Sequence, residues 1–290
     1  MNKKLLSLYG LKWNPFSADL PTEALLSTPK LESFCWRIEQ GHVREGGFAL
    51  ITGDPGTGKS VALRILAGRL DRLGEVTVGA LQHPQSNVAD FYREMGDLFG
   101  VQLRPHNRWC GFKGLRERWI AHIDTTMLRP VLLIDEAQEM QPLVMSELRI
   151  LASANFDSRN ILTVVLAGDG RLLEKLRKEE LLPLGSRIRA RLTMDYASRD
   201  ELVEYLRHLL KSAGNPTLMT PDLMHALCDH AHGNLRVLTT MAGELLAAAA
   251  QRELTQIDEK LFFEVFEMPV SATADQARAS GRGRSRGTPS

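Results

Sequence analysis

The chain has 290 residues, 43% hydrophobic and 24% charged, an ordinary globular balance with room for one full core and a smaller second domain. A net charge of +1 advertises no global field for nucleic acid, so any contact with DNA must come from local patches. Cys35, Cys110 and Cys228 are scattered and form no CxxC, which reads as free thiols in a reducing cytoplasm; no apolar run reaches the ~18 residues of a membrane span, and residues 1–6 are not followed by the apolar core of a secretory signal.

Residues 1–45 mix aromatics and prolines around one helical stretch at 31–40. From Gly47 strand and helix patterns alternate. Phe48-Ala49-Leu50-Ile51-Thr52 is a short apolar run ending in glycine, and 59–70 has helical spacing. A second strand reads over 75–81, and helical patterns follow at 87–99 and 113–127. The runs 131–134 and 161–167 are further strands, with a helix at 143–154 between them. Buried runs alternating with amphipathic helices predict an α/β fold, a parallel sheet sandwiched by helices.

After about residue 197 the strands stop. Ser198-x-x-Glu201 has the form of a capping box for a helix over 202–210, and Gly214-Asn215-Pro216 breaks it. Thr220-Pro221 pairs an N-cap with proline at the first helical position. Gly233-Asn234 precedes an alanine-rich helix to about 252, and 258–266 completes a helical lid. The expected division is an N-terminal extension at 1–45, an α/β nucleotide-binding domain at 46–196, a lid at 197–270 and a disordered tail at 271–290, with Arg278, Arg282, Arg284 and Arg286.

The strongest chemical signal is Gly53-Asp54-Pro55-Gly56-Thr57-Gly58-Lys59-Ser60, followed by Val61. It is a Walker A loop, between a strand and a helix, whose glycines let backbone N–H groups turn inward around phosphate oxygens. Lys59 is expected to reach the β- and γ-phosphates of ATP, and the Ser60 hydroxyl to ligate Mg²⁺. Val131-Leu132-Leu133-Ile134-Asp135-Glu136 is the matching Walker B. Its strand delivers Asp135, a second Mg²⁺ contact through the water shell, and Glu136, which would polarise the attacking water.

Three further residues are candidates with open alternatives. Asp169, after the strand 161–167, would contact the γ-phosphate or the attacking water, or else cap the helix beginning near Arg171. Ser186-Arg187-Ile188-Arg189-Ala190-Arg191 places three arginines at alternate positions of a short strand. Arg187 is favoured as a finger reaching a neighbouring subunit's phosphates, against the alternative of a charged edge strand. Arg236 would reach back from the lid toward the phosphates, or form a surface ion pair. Cys228, His230 and His232 do not share a helical face and make no metal site.

These residues resemble a branch of the AAA+ superfamily. The opening Tyr9-Gly10-Leu11-Lys12-x-Asn14-Pro15-Phe16, together with Asp135-Glu136-Ala137-Gln138, Leu166-Ala167-Gly168, Ser186-Arg187-Ile188 and His232-Gly233-Asn234-Leu235-Arg236, is similar to general secretion pathway A-type ATPases and to transposon-encoded ATPases that partner DDE transposases. The resemblance implies Lys59, Ser60, Asp135 and Glu136 in the roles above, Arg187 as finger and Arg236 as lid sensor. Two positions depart from the pattern: Asp169 stands where many relatives carry glutamine or another polar residue, and Leu235 replaces a proline common before the sensor arginine. Secretion-pathway members continue into a membrane span and a wall-binding domain, whereas this chain ends in an arginine tail, which favours the transposition branch. That branch implies a cytoplasmic ATPase without membrane contact. It would form a ring or helical filament of its own copies on double-stranded DNA, largely without sequence preference, and engage a transposase. The alternatives are a secretion or envelope-assembly ATPase and a replication-associated loader-like ATPase.

Overall fold

The computed structural model describes residues 2–102, 108–156 and 158–266. The expected disorder of 271–290, with its four arginines, lies outside the described residues. Among those described, seven strands occur: β1 (Gly47–Gly53), β2 (Val78–Leu81), β3 (Val131–Ile134), β4 (Ser153–Ala154), β5 (Arg159–Asn160), β6 (Thr163–Gly168) and β7 (Ile188–Met194). Five form one parallel sheet in the order β2-β3-β6-β1-β7, while β4 and β5 pair as a small antiparallel ladder.

The sheet is sandwiched because its central strands are apolar on both faces. Phe48 and Leu50 of β1, Leu132 and Ile134 of β3, and Val164 and Leu166 of β6 point to one core, under the helices Val88–Phe99, Arg108–Thr126 and Pro142–Leu151. The alternate residues Ala49, Ile51, Val131, Leu133, Val165 and Ala167 enter a second core against the helices Pro29–Arg37 and Lys59–Asp71. A strand with period 2 and no polar face can be stable only between two layers.

The edge strand β7 breaks that rule. Ala190 and Leu192 are buried, whereas Arg189, Arg191 and Thr193 are exposed. The expectation of three arginines on one face of a strand is corrected here. Pairing starts at Ile188, so Arg187 stands one residue ahead of β7, and only Arg189 and Arg191 share its outward face. β2 is likewise shorter than its 75–81 reading, because only Val78–Leu81 has a partner in β3.

The lid consists of the helices Arg199–Ala213, Pro221–Ala231, Leu235–Gln251 and Glu259–Phe266 around a separate apolar core. Ser198 and Glu201 form the capping box read from the sequence, and Thr220 caps the second lid helix through the amide of Leu223. The lid core also takes in Tyr9, Leu11, Phe16 and Leu20 from the N-terminal segment. Hydrogen bonds fasten that segment in place: the Lys12 amide donates to the Ala213 carbonyl at 2.8 Å, and the Asn215 side chain donates to the Tyr9 carbonyl at 2.9 Å. No helix among the described residues is long and apolar enough to cross a membrane.

Phe91 is fully buried beneath the sheet and Phe156 fully exposed. Phe91→Ala is expected to cost about 3–5 kcal/mol of unfolding free energy in urea titration, and Phe156→Ala about 0.5 kcal/mol or less. Equal losses would contradict the placement of the first core.

Candidate nucleotide site

The register of the parallel sheet gathers the chemistry at one edge. Thr52 lies level with Gly168, and Ile134 with Leu166, so the carboxyl ends of β1, β6 and β3 finish side by side. The loop after β1, the residue Asp169 after β6 and the pair Asp135-Glu136 after β3 therefore face one crevice, where open α/β sheets bind ligands.

The loop between β1 and the helix Lys59–Asp71 is held by its own polar groups. Gly56 and Gly58 have φ of +86° and +100°, which turn the backbone as a side chain rarely allows. Thr57 donates its hydroxyl to the Asp54 carbonyl at 2.9 Å. Lys59 is only 6% exposed, and its ammonium donates to the carbonyls of Gly53 and Asp54 at 2.8 and 3.1 Å. A buried ammonium is tolerated because both bonds are charge-assisted. Ser60, at the open end of the same helix, is exposed.

Across the crevice, Asp135 accepts the Glu136 amide at 2.9 Å, and Glu136 adopts a left-handed conformation with φ +49°. The Glu136 carboxylate accepts from the Gln138 side chain, whose amide oxygen accepts from the backbone N–H of Asp169 at 3.3 Å. Asp169 caps the helix Gly170–Leu176 by accepting the Arg171 amide at 2.9 Å, and it pairs with the Arg171 guanidinium at 2.8 Å. Burial works to raise its carboxyl pKa. Hydrogen bonds from Arg171 and the charges of Arg171 and Lys59 outweigh that effect and hold it below the ordinary aspartate value. Both readings of Asp169 thus remain compatible with one position: it is a helix cap that also faces the cavity.

The lid closes directly on the loop. Asn234 caps the helix Leu235–Gln251 by accepting the amides of Arg236 and Val237, and its side-chain NH₂ donates to the Pro55 carbonyl at 3.1 Å. The Leu235 amide donates to the Gly56 carbonyl at 3.1 Å. A Cβ on Gly56 would stand 2.1 Å from the Asn234 side-chain oxygen, so the contact requires glycine.

The resulting cavity, about 990 Å³, lies between sheet and lid. It is lined by Pro55–Val61 of the loop and by Glu136, Asp169, Leu235 and Arg236. Gly53, Asp54 and Asp135 support the loop and crevice but do not line the cavity. Arg187, Arg189 and Arg191 are also outside it. Two contributions escaped the motif reading: residues 26–31 form one wall, and Asn234 and Gln138 tie the parts together. The Thr28-Pro29 cap was the available signal for the first, since it fixes where the helix Pro29–Arg37 begins.

The chemistry of this donor set fits a nucleoside triphosphate with Mg²⁺. Amides and an ammonium crowd the loop end, apolar walls line the other, and the volume lies in the range of small-molecule sites. Ser60 and Asp135 are the residues that could hold the metal, which would supply charge neutralisation for phosphoryl transfer.

Sheet order, loop and lid together define a P-loop NTPase fold of the AAA+ type. Residues 42–176 match the family described as an AAA domain. Over 249 residues the chain is 29% identical to general secretion pathway protein A of Aeromonas hydrophila; the match covers 84% of this chain and 44% of that protein, so the chain spans less than half the relative's length. In structure it is similar to Cdc6p from Pyrobaculum aerophilum, with TM-score 0.69 and 16% identity over 91% of this chain and 73% of that one. The ORC2 protein of Aeropyrum pernix gives 0.70 and 14% over 92% and 74%, and the ORC1 protein of the same organism, solved in complex with DNA, gives 0.63 and 16% over 86% and 67%.

Gly56→Ala is expected to push the lid from the loop and weaken binding of a fluorescent ATP analogue by about tenfold or more, with the circular dichroism spectrum unchanged. Parent-like affinity would show that the loop–lid contact does not matter to the ligand.

Proposed function

We propose that this chain is a cytoplasmic ATPase that assembles with copies of itself on duplex DNA and regulates a transposase, with hydrolysis dissolving the assembly. The observation that carries the reading is the separation of two parts of one chemistry. Glu136 and Lys59 stand at the carboxyl edge of the sheet, while Arg187 precedes β7 at the opposite end. Six residue-to-residue steps of strand lead from Ile188 to Met194, which lies beside Gly53; at 3.3 Å per step this is about 20 Å. Arg187 is too far to serve its own site, and a neighbouring subunit's site is the place where its charge would count.

Within one site, Lys59 and the loop amides would bind the phosphates of ATP. Glu136 would orient the attacking water, and Arg236 would bring lid position into register with the γ-phosphate. A group that is reshaped by its ligand in this way makes a switch, because ATP and ADP bias different lid positions. Duplex DNA is supported by the family resemblance of the motifs and by the likeness to an ORC1 protein solved in complex with DNA. The secretion-pathway reading is supported by the match to general secretion pathway protein A. Under it, the same ATPase core would drive envelope assembly.

Glu136→Gln is expected to bind ATP and lose turnover by at least about a hundredfold, and Arg187→Ala to bind normally and hydrolyse poorly. Mixed, the two variants should regain activity at junctions where an intact Glu136 meets an intact Arg187. Mixtures that never exceed the sum of the separate proteins would remove Arg187 as a trans-acting residue.

The DNA reading is tested by electrophoretic mobility shift on unrelated duplexes. A shift should require ATP or a non-hydrolysable analogue and weaken steeply between low and physiological salt, as phosphate counterions are released. No shift with any nucleotide at low salt, together with cofractionation with the cell envelope, would replace the transposition reading with the secretion one.

A further inference from the structure

We propose that Gln138 is a positioning residue for hydrolysis, holding the Glu136 carboxylate and tying it to the end of β6. This deepens the proposed function, because it rests on Glu136 as the group that orients water.

Glu136 lies on an exposed residue with left-handed backbone, φ +49°, and a carboxylate there would sample several rotamers if nothing held it. Gln138 supplies the hold. Its side-chain NH₂ donates to the Glu136 carboxylate, and its amide oxygen accepts the Asp169 N–H at 3.3 Å. The orientation of the amide is fixed by these partners, since a flipped amide would set NH₂ against N–H on one side and oxygen against carboxylate on the other.

Gln138 is itself immobilised. It is 5% exposed, and it lies in the 3-10 turn Ala137–Glu139. Lys175, from the helix that Asp169 caps, donates to the carbonyls of Gln138 and Met140 at 2.5 and 2.7 Å. The last residue of β6 must be glycine for the arrangement to close, because a Cβ on Gly168 would stand 2.5 Å from the Gln138 amide oxygen. The chain Asp169–Gln138–Glu136 thus crosses the crevice from the end of β6 to the end of β3. Only a side chain with both a donor and an acceptor completes it, and the geometry assigns that part to a residue outside the Walker motifs.

The test uses the full chain and steady-state ATP hydrolysis beside titration with a fluorescent ATP analogue. Gln138→Leu keeps the volume and removes both bonds; Gln138→Glu keeps the shape but sets a second carboxylate against Glu136. Both are expected to lower kcat about tenfold or more, with KM and analogue affinity within about twofold of the parent. In a Glu136→Gln background, Gln138→Leu should cost nothing further, since the group it positions is gone. The proposal is overturned by parent-like kcat, by KM rising in step with the loss, or by an additive loss in the double variant. Thermal melting accompanies each variant. If Gln138→Leu does not melt cooperatively, the isosteric Gln138→Glu decides by the same criteria. Turnover retained by Glu136→Gln alone would sink the reading of Glu136 itself, whereas an inactive Glu136→Gln beside a fully active Gln138→Leu removes only the role of Gln138.

Discussion

Parallel pairing is the constraint on which the rest depends. Strands that all run one way bring their carboxyl ends to one edge, and the order β3-β6-β1 sets Glu136, Asp169 and the Lys59 loop next to one another without any of them being close in sequence. Antiparallel pairing of the same strands would scatter them over two edges. The pairing is affordable only because both faces are covered, and they are covered because β1, β3 and β6 send apolar residues to both sides of the sheet. Function at the edge and the composition of the strand interiors are therefore one requirement.

The second requirement is a lid that has a core of its own and still touches the loop. Its core is separate from both sheet cores, and it recruits Tyr9, Leu11, Phe16 and Leu20, so the N-terminal segment belongs mechanically to the lid. The chain then crosses back to the sheet through residues 26–31, which wall the cavity. The lid thus reaches the nucleotide crevice at two places: this strap, and the Asn234–Leu235 amide pair on the Pro55 and Gly56 carbonyls.

What could be read from the sequence was whatever local chemistry dictates. The apolar runs gave β1, β3 and β6 within a residue or two, β2 began three residues later than its pattern, and Ser198-x-x-Glu201 and Thr220-Pro221 gave two lid helices with their caps. The glycines of the loop demand its conformation on their own. Gln138 and Asn234 stand within motifs, yet their bonds to Asp169 and Pro55 span 31 and 179 residues, and no periodicity carries such information. The reach of Tyr9 into the lid was hidden for the same reason. At 38–42, where helical spacing continues, the backbone widens into a π turn ending at the buried His42, which propensity does not distinguish from α-helix.

The arginines near β7 show how structure separates residues that look equivalent in sequence. Arg189 pairs with Glu45 at 3.3 Å, while Arg37 donates to the Arg189 carbonyl at 3.0 Å and covers an edge carbonyl that would otherwise invite a further strand. Arg191 reaches the Gly185 carbonyl at 3.4 Å. Both side chains serve the open edge, as charges on edge strands commonly do. Arg187, half-buried, lies before the first paired residue, so the ladder that sends Arg189 and Arg191 outward does not set the direction of its side chain.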